Sequence, residues 1–501
     1  MCTWSEPKTH FSADSDDAAV IPASRSAARV LAERSGNCYR YVQHVVDGRV
    51  FCLPEGYTNF AVVSVGPCLS QIARAVTPNG TPVCVKKVAV EPPQYWTQNI
   101  RLLRELHFLH RSAGRHPHVA GLLDTFPNPR FEASRGLQEV YIVSEWCGHG
   151  TLGEWVPKGV ADVRDVLGQL LDGLRFLHAN EVLHRDVKPV NILVKSSAPV
   201  VIQLADLGIS RSPRGSHTSR APAAADPRMT CPVATRPHMH PAVVLADVLG
   251  VDKMQYGTEI DMFAVATTTY FLVTRCNLFG SRLKADLHLS QQVAVAQFLN
   301  DTSTEGRRDC RRPSASLTRR VLAPADPAQL TAYFGGTPTV RAAVTRATTA
   351  AEQPAVASWA AARCNRFKDD LGAMVGGSET KQSLGALVAE LVSLGPRLTA
   401  EAALDHQLFA GAAGLARTPS PQVQDLAEDY EANLKIQLGV GAGTPGRIAM
   451  NEAIKREMWG FLRSPRDFPS YEVFYGMASG ITGTKRACSD QASPAKRLKA
   501  E

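Results

Sequence analysis

The chain has no run of 18 apolar residues, no Cys-x-x-Cys pair and no large charge of one sign, and each absence excludes something. No segment is suited to cross a bilayer and the N-terminus lacks a signal-peptide pattern, so a soluble protein with no membrane partner is expected. Met1-Cys2 excludes a myristoylation signal, and no prenylation box ends the sequence. The cysteines lie scattered at positions 2, 38, 52, 68, 84, 147, 231, 276, 310, 364 and 488. This odd set without metal-ligand spacing predicts reduced thiols in a cytosolic or nuclear protein, not a disulfide framework or zinc site. The formal net charge of +8 over 501 residues is mildly basic. It favours acidic partners weakly, and nucleic acid is not an expected ligand.

What is present is ordinary globular material, 44% hydrophobic and 20% charged. It suffices for a two-lobed domain of about 350 residues with extensions. One stretch organises it: His184-Arg185-Asp186-Val187-Lys188-Pro189-Val190-Asn191-Ile192-Leu193-Val194, a polar loop that runs into an apolar strand. His-Arg-Asp alone reads equally well as a solvated charged turn. An acid, a cation and an amide at these fixed offsets ahead of a buried strand carry far more information. The string resembles the protein-kinase catalytic loop H-R-D-x-K-x-x-N. That resemblance implies that Asp186 accepts the proton of a substrate hydroxyl, Lys188 neutralises the transferring phosphoryl and Asn191 holds Mg²⁺, with the lysine marking the serine/threonine branch.

Further segments extend the resemblance. Phe60 to Gly66 and Pro82 to Val88 read as strands separated by an Asn79-Gly80 turn. By resemblance they flank a phosphate-covering loop, with Val65, Gly66 and Ile72 along it, Cys84 against adenine and Lys86 on the nucleotide phosphates; Lys87 is the rival lysine. The loop, Val65-Gly-Pro-Cys-Leu-Ser-Gln-Ile72, has one glycine where the family has three. Its amides are therefore expected to approach phosphates less closely. Ile100, Leu103, Leu106 and Leu109 give a helical stripe, and Glu105 stands 19 residues after Lys86, matching the glutamate that pairs with the family's lysine. Tyr141 to Gly148 resembles the hinge strand, so the Glu145 carbonyl and Cys147 amide would bind adenine above Leu193, with Ser144 as a small gatekeeper. Val163, Leu167, Leu170, Leu171, Leu174 and Leu177 predict a helix over residues 160 to 179, ending at a structural His178.

Asp206, in an Asp-Leu-Gly variant twenty positions after Asp186, is the second metal acid by resemblance. Residues 209 to 236 read as an activation loop whose ending resembles that of the MAP kinases, with Thr230 on the activating threonine and Pro232 in place of tyrosine. Arg185 would grip a phosphate on Thr230, added by an upstream kinase. Met239-His-Pro-Ala242 stands where the family has Arg-Ala-Pro-Glu, leaving its partner, Arg397, without the usual acid. His238 and His240 alone do not make a metal site. Asp261 resembles the aspartate that hydrogen-bonds the catalytic-loop backbone.

The expected fold is α+β, a bilobal kinase with a β-rich N-lobe over a helical C-lobe, nearest the cyclin-dependent and MAP-kinase branch. An N-terminal extension covers 1–57 and is partly disordered. The kinase domain covers 58–410, with its N-lobe ending near 147 and an insertion at about 281–326; a tail covers 411–501. In the tail, Met450, Ile454, Met458 and Phe461 form a stripe expected to dock on the C-lobe. Lys485-Arg486 with Lys496-Arg497-Leu498-Lys499 resembles a bipartite signal for a nuclear-import receptor, so nucleus and cytoplasm are the expected compartments. ATP and Mg²⁺ are the expected cofactors and proteins the substrates. The competing expectation is a pseudokinase scaffold that keeps the fold with weak or no phosphotransfer.

Overall fold

The computed structural model describes residues 41–46, 49–65, 71–128, 138–211, 229–230, 234–235, 238–240, 243, 253–254, 256–275, 277, 378–391, 398–410, 417–423, 434, 438 and 446–463. The N-lobe is a five-stranded antiparallel sheet in the order β3-β4-β5-β7-β6. Its strands are β3 (Thr58–Val65), β4 (Gln71–Val76), β5 (Pro82–Ala89), β6 (Leu122–Pro127) and β7 (Glu139–Glu145). The two-residue period of β5 explains the division of its side chains. Val83 and Val85 are fully buried in a core with Phe60, Ala73, Ala75, Phe126 and Tyr141. Cys84 and Lys86 take the opposite face.

That core is closed from outside by a hairpin, β1 (Tyr41–Val46) and β2 (Arg49–Pro54). Both strands fall within the stretch assigned from sequence to the extension. Phe51 and Leu53 are fully buried, the Cys52 amide donates to Tyr141 Oη at 2.9 Å, and His44 stacks on Phe60 at 5.1 Å. The hairpin also separates the two adjacent lysines: Lys87 Nζ donates to the Val50 carbonyl at 2.9 Å, on the side away from Lys86.

Helix α1 (Trp96–Ser112) begins behind Pro92-Pro93 and ends before Gly114, which takes a φ of +66°. Its stripe of Ile100, Leu103 and Leu106 is buried. The C-lobe is organised by α2 (Val160–Ala179), whose predicted apolar positions are all buried, and by α3 (Glu259–Thr274), which is buried on nearly every face. Helix α2 approaches the chain so closely that a Cβ on Gly173 would sit 3.0 Å from the His118 carbonyl. The antiparallel β8 (Ile192–Ser197) and β9 (Val200–Leu204) lie across α2. Helices α4 (Ser378–Leu391) and α5 (Ala400–Leu404) complete this lobe, and short strands β10 (Met229–Thr230) and β11 (Lys253–Met254) pair with each other.

The last helix among the described residues, α6 (Arg447–Arg463), buries Met450, Ala453, Ile454 and Met458. It packs on α1 and β6, so the expected docking on the C-lobe is corrected to docking on the N-lobe. The stripe itself could not distinguish two apolar receiving surfaces. Phe461 lies in this helix with its side chain outside the described residues, as do Arg397, Ala242 and the basic segments after 463.

Candidate active site

Lys86 is placed by β5 and Glu105 by α1, and Lys86 Nζ donates to Glu105 Oε1 at 2.6 Å. Burial works against the Lys86 ammonium, but the Glu105 and Asp206 carboxylates outweigh it and hold the group above its ordinary range. Ile72 pairs in register with Lys86, so it shares the face that carries Cys84 and Lys86, while Ala73 turns into the opposite core. Val65 ends β3 opposite Gln71, its side chain outside the described residues. Gly66 and the loop to Ser70 also lie outside them.

The catalytic-loop residues converge on one carboxylate. Asp186 Oδ2 accepts from Lys188 Nζ at 2.7 Å and from Asn191 Nδ2 at 3.0 Å. Its Oδ1 accepts from the Thr235 hydroxyl at 2.8 Å and the Thr235 amide at 3.1 Å. Lys188 Nζ also donates to Thr235 Oγ1 at 2.7 Å, closing a ring of three groups. Burial pushes the Asp186 carboxyl up, but Lys188 and Thr235 more than offset it and hold the acid ionised below its usual range.

This loop is anchored from beneath. Asp261 on α3 accepts the amides of His184 at 2.9 Å and Arg185 at 2.7 Å, and its Oδ2 bonds His178 Nε2 at 2.9 Å. The expected role of Asp261 toward the loop backbone and the structural place of His178 are thus the observed geometry. His184 Nδ1 accepts the Asp186 amide at 3.2 Å, while its Nε2 meets the Ala205 carbonyl at 3.0 Å, tying the loop to the residue before Asp206. Arg185, Asp206 and Ala234 hold φ values of +72°, +63° and +74°. Non-glycine residues in the left-handed region cost about 1–3 kcal/mol each; Arg185 and Ala234 directly precede Asp186 and its partner Thr235, and such strain gathers at functional sites.

Asn191 spends its amide N–H groups on the Asp186 carbonyl and carboxylate, which leaves its Oδ1 for a cation. With the Asp206 carboxylate this is a hard oxygen donor set of the kind magnesium takes. Gly208 lies beside both acids: a Cβ there would be at ordinary contact distance, 3.5 Å from Asp206 Oδ1 and 3.9 Å from Glu105 Oε2.

At the hinge, Glu145 ends β7 opposite Val83, and Cys147 is buried. Leu193 pairs with Gln203 across β8 and β9. Burial pushes the Cys147 thiol up to about 12 and the Cys84 thiol up to about 11, the latter bonded to Ser144. Both are therefore neutral thiols, that of Cys147 buried against Gln203. Thr230 pairs with Lys253, its side chain outside the described residues, and Arg185 is buried over the Tyr256 ring at 5.7 Å. His238 is consumed structurally, bonding Thr267 Oγ1 at 2.9 Å, with burial lowering its pKa to about 4. Sequence reasoning missed Thr235, whose link to Asp186 spans 49 residues, and Arg74, which lies over the hinge Trp146 ring at 5.7 Å.

Comparison with known proteins gives the same picture. The protein kinase domain model matches residues 68–409. Mitogen-activated protein kinase pmk-1 of Caenorhabditis elegans is 28% identical over 279 residues, covering 54% of this chain and 67% of that protein. Mitogen-activated protein kinase p38b of Drosophila melanogaster is 29% identical over 276 residues, 54% of this chain and 69% of that protein. Cyclin-dependent kinase-like 4 of Homo sapiens is 28% identical over 208 residues, 40% of this chain and 44% of that protein. A family match over more than half the sequence, on a fold that closes a lysine–glutamate pair above a clamped aspartate, makes this chain a member of the protein kinase family, in its CMGC branch.

Proposed function

We propose that the protein is an active serine/threonine kinase that transfers the γ-phosphoryl group of Mg-ATP to protein hydroxyls. The observation that carries this reading is the Asp186 carboxylate, held by Lys188, Asn191 and Thr235 in a cleft where Lys86 and Glu105 already pair. A carboxylate kept ionised can accept a hydroxyl proton as the oxygen attacks phosphorus. Lys188, beside it, can neutralise charge on the transferring group. Lys86, oriented by Glu105, would hold the nucleotide phosphates, and Asn191 and Asp206 would hold Mg²⁺. The bound cation supplies charge neutralisation and alignment of the phosphates. The Glu145 carbonyl and Cys147 amide would read adenine, with Ile72, Cys84 and Leu193 around the base.

An upstream kinase acting on Thr230, with Arg185 receiving the phosphate, is the proposed activation step. Entry to the nucleus through an import receptor is proposed from the basic pairs at 485–486 and 496–499. The single glycine at position 66 and the alanine at 242 favour a second reading, a pseudokinase scaffold.

One assay separates the two. Phosphate transfer from Mg-ATP to a basic protein substrate is measured for wild type and Asp186→Asn. Loss of the general base is expected to cost about 10²–10⁴-fold. Transfer by wild type no faster than by the variant would establish the scaffold instead.

A further inference from the structure

Gln203 belongs to none of the motifs, yet it touches both ends of the hinge. It lies on β9, three residues before Asp206, only 8% exposed and in register opposite Leu193. Its Nε2 donates to Glu145 Oε2 at 3.0 Å, while its Oε1 accepts from the Cys147 thiol at 3.7 Å. Glu145 Oε1 is taken separately by Lys195 of β8 at 2.6 Å, in a pair about two-fifths exposed. The exposed ion pair is screened by water and weak, so the buried amide is the stiffer constraint. A carboxylate only accepts, and here the Cys147 thiol donates; a side-chain amide offers a donor to the one and an acceptor to the other.

We propose that Gln203 is a positioning residue that fixes the angle at which the hinge presents the Glu145 carbonyl and the Cys147 amide, and so sets the preference for adenine over guanine. This rests on the placement of the nucleotide base given above. Adenine offers an amino donor beside a ring-nitrogen acceptor. Guanine offers a carbonyl acceptor beside an N–H donor. A hinge held at both flanks of Trp146 cannot turn its peptides to suit the reversed pattern, whereas a released one can. Discrimination of this kind depends on buried polar groups that cannot re-pair.

The test compares wild type, Gln203→Leu, Gln203→Glu and the reciprocal exchange Gln203→Glu with Glu145→Gln. Binding of fluorescent ATP and GTP analogues is titrated and KM and kcat are measured for both nucleotides. Gln203→Leu should raise KM and Kd for ATP by about 10-fold with kcat within about 2-fold, and cut ATP-over-GTP selectivity by a similar factor. Gln203→Glu, which sets two carboxylates together, should be worse. The reciprocal exchange restores a donor facing an acceptor and should recover most of the ATP affinity. Wild-type affinity and selectivity in both single variants would overturn the proposal, as would failure of the exchange to rescue. A loss confined to kcat or to melting temperature would also overturn it. Absence of ATP binding by wild type would instead remove the underlying placement of the base, a result distinct from wild-type binding that Gln203→Leu leaves unchanged.

Discussion

Thr235 closes the ring around Asp186, and removing its hydroxyl has a consequence with a definite sign. The Asp186 pKa is depressed in the fold, so the carboxylate stays ionised until pH falls below the ordinary carboxylate value of about 3.9. Thr235→Ala removes one of the groups that lowers it. The acid limb of the kcat/KM profile should move to higher pH in this variant, with the largest loss on that limb and a smaller one at neutral pH, where the carboxylate is still ionised. A pH–rate profile superimposable on wild type would show that the hydroxyl does not tune the base. Much at this scale was legible. The kinase resemblance named Lys86, Glu105, Asp186, Asn191 and Asp206 and paired Lys86 with Glu105; the structure brings Lys86 to Glu105 and Asn191 to Asp186. Thr235 was not, because a threonine following a long polar loop carries no periodic signal and its partner is distant in sequence. The choice between Lys86 and Lys87 needed a fact from elsewhere in the chain, the Val50 carbonyl that captures Lys87.

Among the elements, the helix that carries Glu105 is held by a side chain near the far end of the sequence. Asn99 of α1 donates to Asn451 Oδ1 of α6 at 2.5 Å, and it also exchanges hydrogen bonds of 2.8 Å with both the amide and the carbonyl of Glu91. The Asn99–Asn451 bond is buried and the Glu91 bonds are partly so. Asn99→Leu should cost about 1–3 kcal/mol, since Glu91 and Asn451 then lose their partner inside the protein. Urea unfolding measures it, and kinase activity should fall along with stability because α1 carries Glu105. The β1–β2 hairpin makes the second element-scale case. Phe51 is fully buried, its ring centroid 4.8 Å from that of Phe60. Phe51→Ala should destabilise the N-lobe by about 3–5 kcal/mol while leaving the Lys86–Glu105 pair in place. An unchanged unfolding midpoint would show that the hairpin is dispensable. The helical stripes over 99–109 and 160–179 were legible because a 3.6-residue period is strong evidence, and the first helix extends to 96–112. The hairpin was not, since it is short and its neighbours carry composition typical of disorder.

For the molecule as a whole, the segment 417–423 ties the tail to the C-lobe along α2. The Thr418 amide donates to Asp172 Oδ2 at 3.0 Å, the Val423 amide to Asn180 Oδ1 at 2.7 Å, and Asn180 Nδ2 to the Pro421 carbonyl at 3.1 Å. Asp172 also binds Arg175 at 2.7 Å and His116 at 3.3 Å. Burial opposes its charge, but His116, Arg175 and Thr418 hold its carboxyl far below the usual range. A depressed folded pKa gives stability that is complete above the ordinary carboxylate range and is lost as pH falls toward the folded value. Asp172→Asn should therefore melt lower than wild type at pH 7, and the gap should narrow as pH drops below about 4. A gap that stays constant with pH would show that the ion pairs contribute nothing.

The seat of α6 on α1 has a consequence in time as well as in space. A chain made from its N-terminus forms the N-lobe sheet and α1 long before α6 leaves the ribosome. Until then Asn451 is missing from its place against Asn99, and the apolar face that receives Met450, Ile454 and Met458 is bare. During synthesis there is thus an interval in which the helix that carries Glu105 has formed but lacks the surface and the Asn451 contact that α6 supplies.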